Sequence, residues 1–274
     1  MRSLSLKLAH LLCNLLCSMA LCLSVLCLNL KADDEIPVVP IGRLATVNAA
    51  SYQPQLAPGG IAAAFGTRLT DQTARAERQP LPLEINQLGI RLLDSQQQPF
   101  TAPLFFVSPN QINFLVPDQI ATGRAQVFLT DGEALIAQGE ILISNAAPAL
   151  FTLAGNGKGL PAALTTDDGD SYASVVQPDG TPRPITLGGT PRQQYLLLFG
   201  TGFRYAYNVR VKLGGVLLKP VYAGAQGALS GLDQINLVIP PDTRAGLLEL
   251  IVIGDGSASN PVQVQIGHPE KPSR

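Results

Sequence analysis

Acidic side chains are the main groups in this sequence that could do chemistry. The chain has 20 Asp and Glu residues but only two histidines and four cysteines. Two carboxylates about 5–10 Å apart can hydrolyse a glycosidic bond. Glu84, Glu140 and Glu249 fall in or beside predicted strands and are the candidates, whereas most other acids adjoin glycine or proline in turn signals. No catalytic residue is predicted, and a carboxylate-dependent polysaccharide hydrolase is the alternative.

Other catalytic and metal sites lack suitable residues. From residue 33 onward the chain has no cysteine, and its only histidine is His268, in the C-terminal segment "IGHPEKPSR". A serine triad needs a histidine held rigidly between a nucleophile and a carboxylate, and structural zinc sites use Cys and His. We therefore expect neither of these sites, and no cofactor.

An acidic loop gives a weak calcium candidate. Asp167, Asp168 and Asp170 surround Gly169 in "TTDDGDSYAS" (165–174). Calcium takes six to eight oxygen ligands, and this spacing lacks the alternation and the distant bidentate Glu of an EF-hand. An Asp-rich turn is the main interpretation, and calcium binding is the alternative.

Aromatic residues suggest one contact patch. Phe203, Tyr205 and Tyr207 alternate in "GTGFRYAYNVR", with Arg204 between them. If this segment is a strand, all three rings lie on one side. They then either pack the core at one end of the domain or form an amphipathic patch that contacts protein or carbohydrate.

The N-terminal segment predicts export. Arg2 and Lys7 precede an uncharged run over residues 8–30, and we expect a signal peptide at 1–32 that is cleaved after Ala32. The run is also long enough for an uncleaved membrane anchor, which is the alternative. This segment contains all four cysteines of the chain, which are Cys13, Cys17, Cys22 and Cys27. The body must therefore fold without disulfides.

The charge balance of the body argues against nucleic acid. Removing residues 1–32 leaves 16 basic and 20 acidic residues, a formal charge of −4. There is no basic stripe or Arg-rich segment that could neutralise phosphates. We expect membrane contact only through the N-terminal segment.

One heptapeptide occurs twice. The sequence "QINFLVP" at 111–117 is followed by "QINLVIP" at 234–240. Three further matches keep the same order: 51–60 with 171–180, 62–69 with 196–203, and 122–132 with 245–256. The residues of this structural repeat are Gln111, Asn113, Pro117, Gln234, Asn236 and Pro240. Amides at matching positions favour a scaffold role, in which each bonds the backbone of a neighbouring loop, over a ligand site.

Each heptapeptide has the pattern of a half-buried strand. Apolar and polar residues alternate, and the proline ends the strand because it cannot donate to a ladder. The following strands run to Asp131-Gly132 and Asp255-Gly256, which predict tight hairpin turns. Gly139 in the first returning strand predicts a β-bulge.

The fold class follows from many short strands and frequent turns. The chain contains 26 Gly and 22 Pro, and no long helical period. We predict an all-β protein with two tandem immunoglobulin-like β-sandwiches at 45–147 and 148–268, a linker at 33–44 and a tail at 269–274. In the connecting region, "GNGKG" (155–159) separates two apolar runs that predict a hairpin packing on either domain.

A family resemblance supports this fold. The segments "GTPRQQYLLLFGTGF" (189–203), "LVIPPDTRAG" (237–246) and "IVIGDGSAS" (251–259) resemble the TIG (IPT) immunoglobulin-like domain. The segments 47–69, 103–117 and 148–164 resemble a C-terminal module of large exported bacterial proteins. The resemblance implies the fold and an exported location, but no activity or catalytic residues.

These patterns predict a non-enzymatic exported module of the bacterial cell surface or secretome. Sandwich domains commonly contact partners through end loops or exposed strand edges, so the expected partner is protein or carbohydrate. Two alternatives are the hydrolase above and a self-assembling spacer unit whose edge strands pair with another chain.

Overall fold

The computed structural model describes residues 41–188 and 192–268, and the regular structure in these ranges is all-β. The all-β prediction is therefore confirmed for the described chain. The predicted signal segment at 1–32, most of the linker and the tail at 269–274 lie outside the described residues. Within the described ranges, no helix is long and apolar enough to span a membrane.

Twelve strands form the first half of the described chain and twelve form the second. The first half contains β1 (Gly42–Arg43), β2 (Ala45–Asn48), β3 (Gln55–Leu56), β4 (Ile61–Phe65), β5 (Ala74–Arg75), β6 (Glu84–Ile85), β7 (Leu88–Leu93), β8 (Pro99–Ala102), β9 (Leu104–Val107), β10 (Gln111–Leu115), β11 (Gly123–Asp131) and β12 (Ala134–Ile143). The second half contains β13 (Ala149–Leu150), β14 (Ala163–Thr166), β15 (Ala173–Ser174), β16 (Ile185–Thr186), β17 (Gln194–Thr201), β18 (Val209–Leu213), β19 (Val216–Leu218), β20 (Tyr222–Ala225), β21 (Asp233–Ile239), β22 (Gly246–Gly254), β23 (Ser257–Ala258) and β24 (Val262–Gly267).

The strands form four sheets, an arrangement consistent with β-sandwiches. In the first half the sheet orders are β1-β12-β11-β7-β6, with β3 on β12 and β8 on β7, and β2-β4-β10-β9-β5. In the second half they are β15-β14-β17-β21-β20, with β13 on β17, and β16-β24-β22-β18-β19, with β23 on β22. The pairs β1–β12, β3–β12 and β16–β24 are parallel, and the other pairs are antiparallel.

Two separate apolar clusters lie between these sheets. One draws its buried residues from 44–143 and the other from 150–266. The repeated heptapeptides contribute equivalent residues, since Ile112 and Phe114 are fully buried in the first cluster and Ile235 and Leu237 in the second. The predicted alternation of β10 and β21 is confirmed.

The two halves also share strand register. Gln111 pairs with Phe65 across β10 and β4, and Gln234 pairs with Phe199 across β21 and β17. A short parallel strand adds to the last long strand in each half, β1 to β12 and β16 to β24.

The two predicted hairpin turns differ by one residue. Asp255 and Gly256 form the second turn, and both have left-handed backbones (φ 48° and 86°). In the first hairpin Asp131 is instead the last strand residue, paired with Ala134, so the turn comprises residues 132 and 133. The prediction of an Asp131-Gly132 turn is therefore wrong by one position.

Gly139 is not the bulge that the sequence suggested. It pairs in register with Val127, and the register shift in β12 lies at Ile136, between the partners of Leu129 and Thr130. The glycine is needed because the chain entering β2 crosses it. A Cβ on Gly139 would collide with the carbonyl oxygen of Leu44.

The connecting region forms a hairpin that contacts both halves. Thr152 pairs with Pro161 near its tip, and the strands β13 and β14 at its base both pair with β17 in the second half. The tip contacts the first half, since a Cβ on Gly157 would lie 3.1 Å from the carbonyl oxygen of Ala50.

Candidate functional site

The junction between the two halves is held by hydrogen bonds from both. Thr201 Oγ1 accepts the backbone N–H of Ile61 (2.9 Å) and donates to the carbonyl of Gly231 (2.8 Å). The Tyr52 hydroxyl donates to the carbonyl of Gly155 at 2.7 Å. Thr201 is fully buried, so loss of its hydroxyl would leave polar groups unsatisfied. The junction is therefore buried at Thr201, whereas the Tyr52–Gly155 hydrogen bond lies at its exposed edge.

Two glycines of the second half lie close to neighbouring segments at the junction. A Cβ on Gly231 would lie 2.5 Å from Cγ1 of Ile61, and one on Gly202 would collide with the carbonyl oxygen of Ala147. Gly202 also has a left-handed backbone (φ 81°), which other residues adopt with strain. A larger residue at either position would therefore displace these neighbours.

A buried ion pair anchors the turn that carries Gly202. Oδ1 of Asp233 accepts from Nε of Arg204 at 2.7 Å, and Oδ2 accepts the backbone N–H groups of Phe203 (2.9 Å) and Arg204 (3.1 Å). The side chains of Asp233 and Arg204 are 0% and 14% exposed. Burial raises the pKa of the Asp233 carboxyl, and Arg204 and the backbone N–H groups oppose that rise.

A polar cleft of about 610 Å³ opens beside this junction. Its lining comes from four places in the chain: the segment after β2, residues 147–148 before β13, the tip of the connecting hairpin, and β22 to β24. The polar lining residues are Ser51, Gln53, Gln55, Asn156, Lys158, Glu249, Ser257, Ser259, Asn260 and Gln263.

The floor of the cleft is fixed by hydrogen bonds within the protein. Oδ1 of Asn260 accepts the N–H of Leu150 at 2.9 Å, and its Nδ2 donates to the carbonyls of Leu150 (3.0 Å) and Gly157 (2.8 Å). The Ser259 hydroxyl donates to the carbonyl of Asn260 and accepts the N–H of Val252, both at 2.9 Å. These groups are fully used and serve as structure.

The rim of the cleft is different, because its amides have no partners in the described chain. The side chains of Gln53, Gln55 and Gln263 are exposed and make no hydrogen bond to a described residue. Lys158 and Glu249 are also exposed, and neither is in an ion pair within that part of the chain. Amides offer both donors and acceptors, so this rim can bond a ligand whose groups do both.

The predicted contact patch is divided among different environments. Residues 203–208 form turns rather than a strand, so alternation does not place the rings on one side. Phe203 is buried in the second core, Arg204 pairs with Asp233, and Tyr207 is 98% exposed. Tyr205 is half exposed and lies beside Asp118. The pKa of the Tyr205 hydroxyl is raised, mainly by partial burial and also by the Asp118 carboxylate.

The acidic loop at 167–170 is a turn that Asp168 holds together. Its Oδ1 accepts the N–H groups of Ser171 (2.8 Å) and Asp170 (2.9 Å) and the Thr166 hydroxyl (3.1 Å). These hydrogen bonds lower the pKa of Asp168 to about 2. Among the described residues, no cluster of three acidic, His or Cys side chains could hold a metal ion.

The three candidate carboxylates lie apart. Glu140 is exposed and paired with Arg124 at 3.3 Å, and Glu84 lies on β6, three strand positions away in the same sheet. At about 4.8 Å per strand they are about 14 Å apart across the sheet. They are also offset along the strands, because Glu84 pairs with Gly89 whereas Glu140 is in register with Leu93. Glu249 lies on a different sheet, in the cleft. His268 donates from Nε2 to the carbonyl of Thr243 at 2.8 Å.

The repeated Gln and Asn side chains bond each other. Gln111 Nε2 donates to Asn113 Oδ1 at 2.8 Å, and Gln234 Nε2 donates to Asn236 Oδ1 at 2.7 Å. The predicted partner was a neighbouring loop backbone, but residues i and i+2 of one strand share a face and meet directly. The same side-chain hydrogen bond therefore occurs in both halves.

Sequence reasoning did not identify the cleft. Its lining joins residues about 50, 157 and 260, which are remote in sequence. The available signal was the "GNGKG" loop, in which Gly155, Gly157 and Gly159 all have positive φ values. Such a loop brings its backbone close to another segment, but it does not indicate which one.

No protein-family model matches the chain, and no curated protein matches it. Solved structures with partial similarity include SGBP-B of the Bacteroides ovatus mixed-linkage glucan utilization locus, in complex with a mixed-linkage heptasaccharide (TM-score 0.34, 11% identity, 80% of this chain and 44% of that chain). Others are the BSP domain of a biofilm associated protein (0.25, 10%, 84% and 30%) and bovine butyrophilin (0.25, 9%, 82% and 99%). The chain thus spans less than half of the first two, and no functional assignment follows from these similarities.

Proposed function

We propose that this protein is an exported, non-enzymatic binding module that holds a carbohydrate in the cleft between two tandem immunoglobulin-like sandwiches of the TIG/IPT type. The tandem arrangement is supported by the two apolar clusters and by the shared register of β10 and β21. Export rests on the N-terminal charge and apolar pattern.

The rim of the cleft is the observation that carries the binding proposal. Gln53 and Gln55 come from the first half and Gln263 from the second, and the hydrogen bond from Ile61 to Thr201 connects the two halves. Sugar hydroxyls both donate and accept, as carboxamides do, so a row of unpartnered amides suits a polyhydroxylated chain. Lys158 and Glu249 add one donor and one acceptor.

Binding without turnover is favoured because the described lining of the cleft lacks a pair of carboxylates. Glycosidases use a pair of carboxylates on either side of the scissile bond. Among the described lining residues of the cleft, Glu249 is the single acid. A lone carboxylate can hydrogen-bond a hydroxyl, but it leaves the second role in hydrolysis unfilled.

Glycan-array screening of the full chain tests the proposal, with reducing ends measured in the same samples. Gln53→Ala and Gln263→Ala should each weaken binding of the array's best ligand about fivefold, because a hydrogen bond contributes about 1 kcal/mol. Gln265→Ala is the matched control, since Gln265 lies two residues along β24 and outside the cleft. Equal affinity in all three variants, or release of reducing ends, would refute the proposal.

One surface favours the spacer unit as a second candidate function. The edge strand β19 and the segment leading to β20 expose Val216 (61%), Leu217 (58%) and Val221 (63%). Exposed apolar edge strands can pair with another chain, although Lys219 and Pro220 beside them oppose such pairing. Sedimentation velocity tests this candidate: association of the wild type that Leu217→Lys abolishes would support it, and a concentration-independent monomer would exclude it.

A further inference from the structure

A second cavity, of about 790 Å³, lies in the first half of the molecule. Its lining includes Arg68, Asn86 and Gln87, and it is lined by no residue of the cleft. These three residues have left-handed backbones, with φ values of 55°, 52° and 66°. Residues other than glycine adopt this backbone conformation at a cost in stability, although asparagine tolerates it better than most. We name this cavity the basin.

Gln87 occupies a position where the same turn elsewhere in the chain has glycine. Two-residue hairpin turns with two positive φ values occur at 86–87, 214–215 and 255–256. The second position is Gly215 in one turn and Gly256 in another, as turn geometry favours. At 86–87 the preferred glycine is replaced by a long amide side chain that lines the basin.

Arg68 shows the same departure, and the internal repeat provides its counterpart. The sequences "FGTRL" (65–69) and "FGTGF" (199–203) match, so Arg68 corresponds to Gly202. Both residues have positive φ, and the next residue, Leu69 or Phe203, is buried in each half. At this position the second half has the glycine that the backbone favours. The first half instead has a guanidinium group.

We propose that the basin is a second carbohydrate-binding site, for which Arg68, Asn86 and Gln87 are positioned at the expense of stability. Planar side chains with paired polar atoms can bond adjacent hydroxyls of a sugar ring in a bidentate way. Nδ2 of Asn86 donates to Oε1 of Gln72 at 3.1 Å, which leaves the Asn86 oxygen to accept. The Arg68 guanidinium makes no hydrogen bond or ion pair to a residue in the described ranges.

Replacing the strained side chains by glycine should have opposite effects on stability and on binding. Gln87→Gly and Arg68→Gly should each lower the unfolding equilibrium constant about fivefold, because left-handed strain is removed. The same variants should weaken binding at one of two sites on the chain. Binding is measured by calorimetric titration of the full chain with cellohexaose, xylohexaose and maltohexaose.

Gln97→Gly is the matched control. Gln97 also has a left-handed backbone (φ 62°) but does not line the basin, so its variant should gain stability and keep both sites. Gln263→Ala separates this proposal from the cleft: the basin site should survive that change, and the cleft site should survive Gln87→Gly. Titrations in which Gln87→Gly and Arg68→Gly match the wild type would overturn the basin site. So would the absence of heat with all three sugars.

Discussion

Asp233→Asn should destabilise the whole described unit, because it breaks the buried ion pair at the junction. The asparagine oxygen can still accept the N–H groups of Phe203 and Arg204, but its NH2 then faces Nε of Arg204, donor against donor. The guanidinium group, 14% exposed, keeps its charge and loses its counterion. An uncompensated buried charge is the costly outcome.

The expected loss is about 3 kcal/mol, at the lower end of the 3–5 kcal/mol range for breaking a buried pair. The lower end applies because Nη2 of Arg204 retains its hydrogen bond to the carbonyl of Leu232 at 3.1 Å. For a unit of this size the melting temperature should fall by about 6–12 °C.

Urea unfolding followed by circular dichroism measures this loss. Glu140→Gln is the matched control, because it breaks the Arg124–Glu140 pair, whose side chains are 85% and 67% exposed. An exposed pair contributes less than about 1 kcal/mol, so this variant should unfold close to the wild type. If Asp233→Asn cost no more than Glu140→Gln, the ion pair would not anchor the junction.

Phe203 is 1% exposed, so Phe203→Ala should lower the free energy of urea unfolding by about 3–5 kcal/mol. Tyr207 is 98% exposed, so Tyr207→Ala should change it by less than about 0.5 kcal/mol. Similar losses in the two variants would contradict the burial of Phe203. Gly139→Ala should lower the melting temperature and speed amide exchange at Leu44, because the added Cβ collides with the Leu44 carbonyl oxygen, and an unchanged exchange rate would count against that crossing. The pKa of Asp168 in the folded protein is about 2, below its ordinary value of 3.8. Its contribution to stability is therefore present above about pH 4 and is lost as the pH falls toward 2. The urea midpoints of the wild type and Asp168→Asn should converge over that range, and a constant difference would refute the lowered pKa.

The strands were predictable because their patterns are local. Alternation in "QINFLVP" and "QINLVIP" predicts a buried face, and Ile112 and Ile235 lie fully buried as expected. The phrase "GTGFRYAYNVR" has a similar alternation but forms a turn, because Asp233, 30 residues later, binds the N–H groups of Phe203 and Arg204. A partner so distant in sequence leaves no mark in the local pattern.

Sites built from distant segments were beyond sequence reasoning for the same reason. The cleft brings Gln53 to Gln263, and the basin brings Arg68 to Gln87, through sheet pairings that no short motif encodes. The position of Gly139 could be noticed from sequence, but its role depends on where Leu44 crosses. A glycine within a strand indicates that another segment packs closely against it, but the sequence does not show which segment that is.

The most direct test of the central claim is one calorimetric titration of the full chain with soluble hexasaccharides. A binding module without turnover should give saturable heats that return to a flat baseline after each injection, and Gln263→Ala should reduce the heats from the cleft. A sustained heat flow after each injection would indicate hydrolysis and contradict the account. The account would also be contradicted if the wild type produced no heat with any of the sugars.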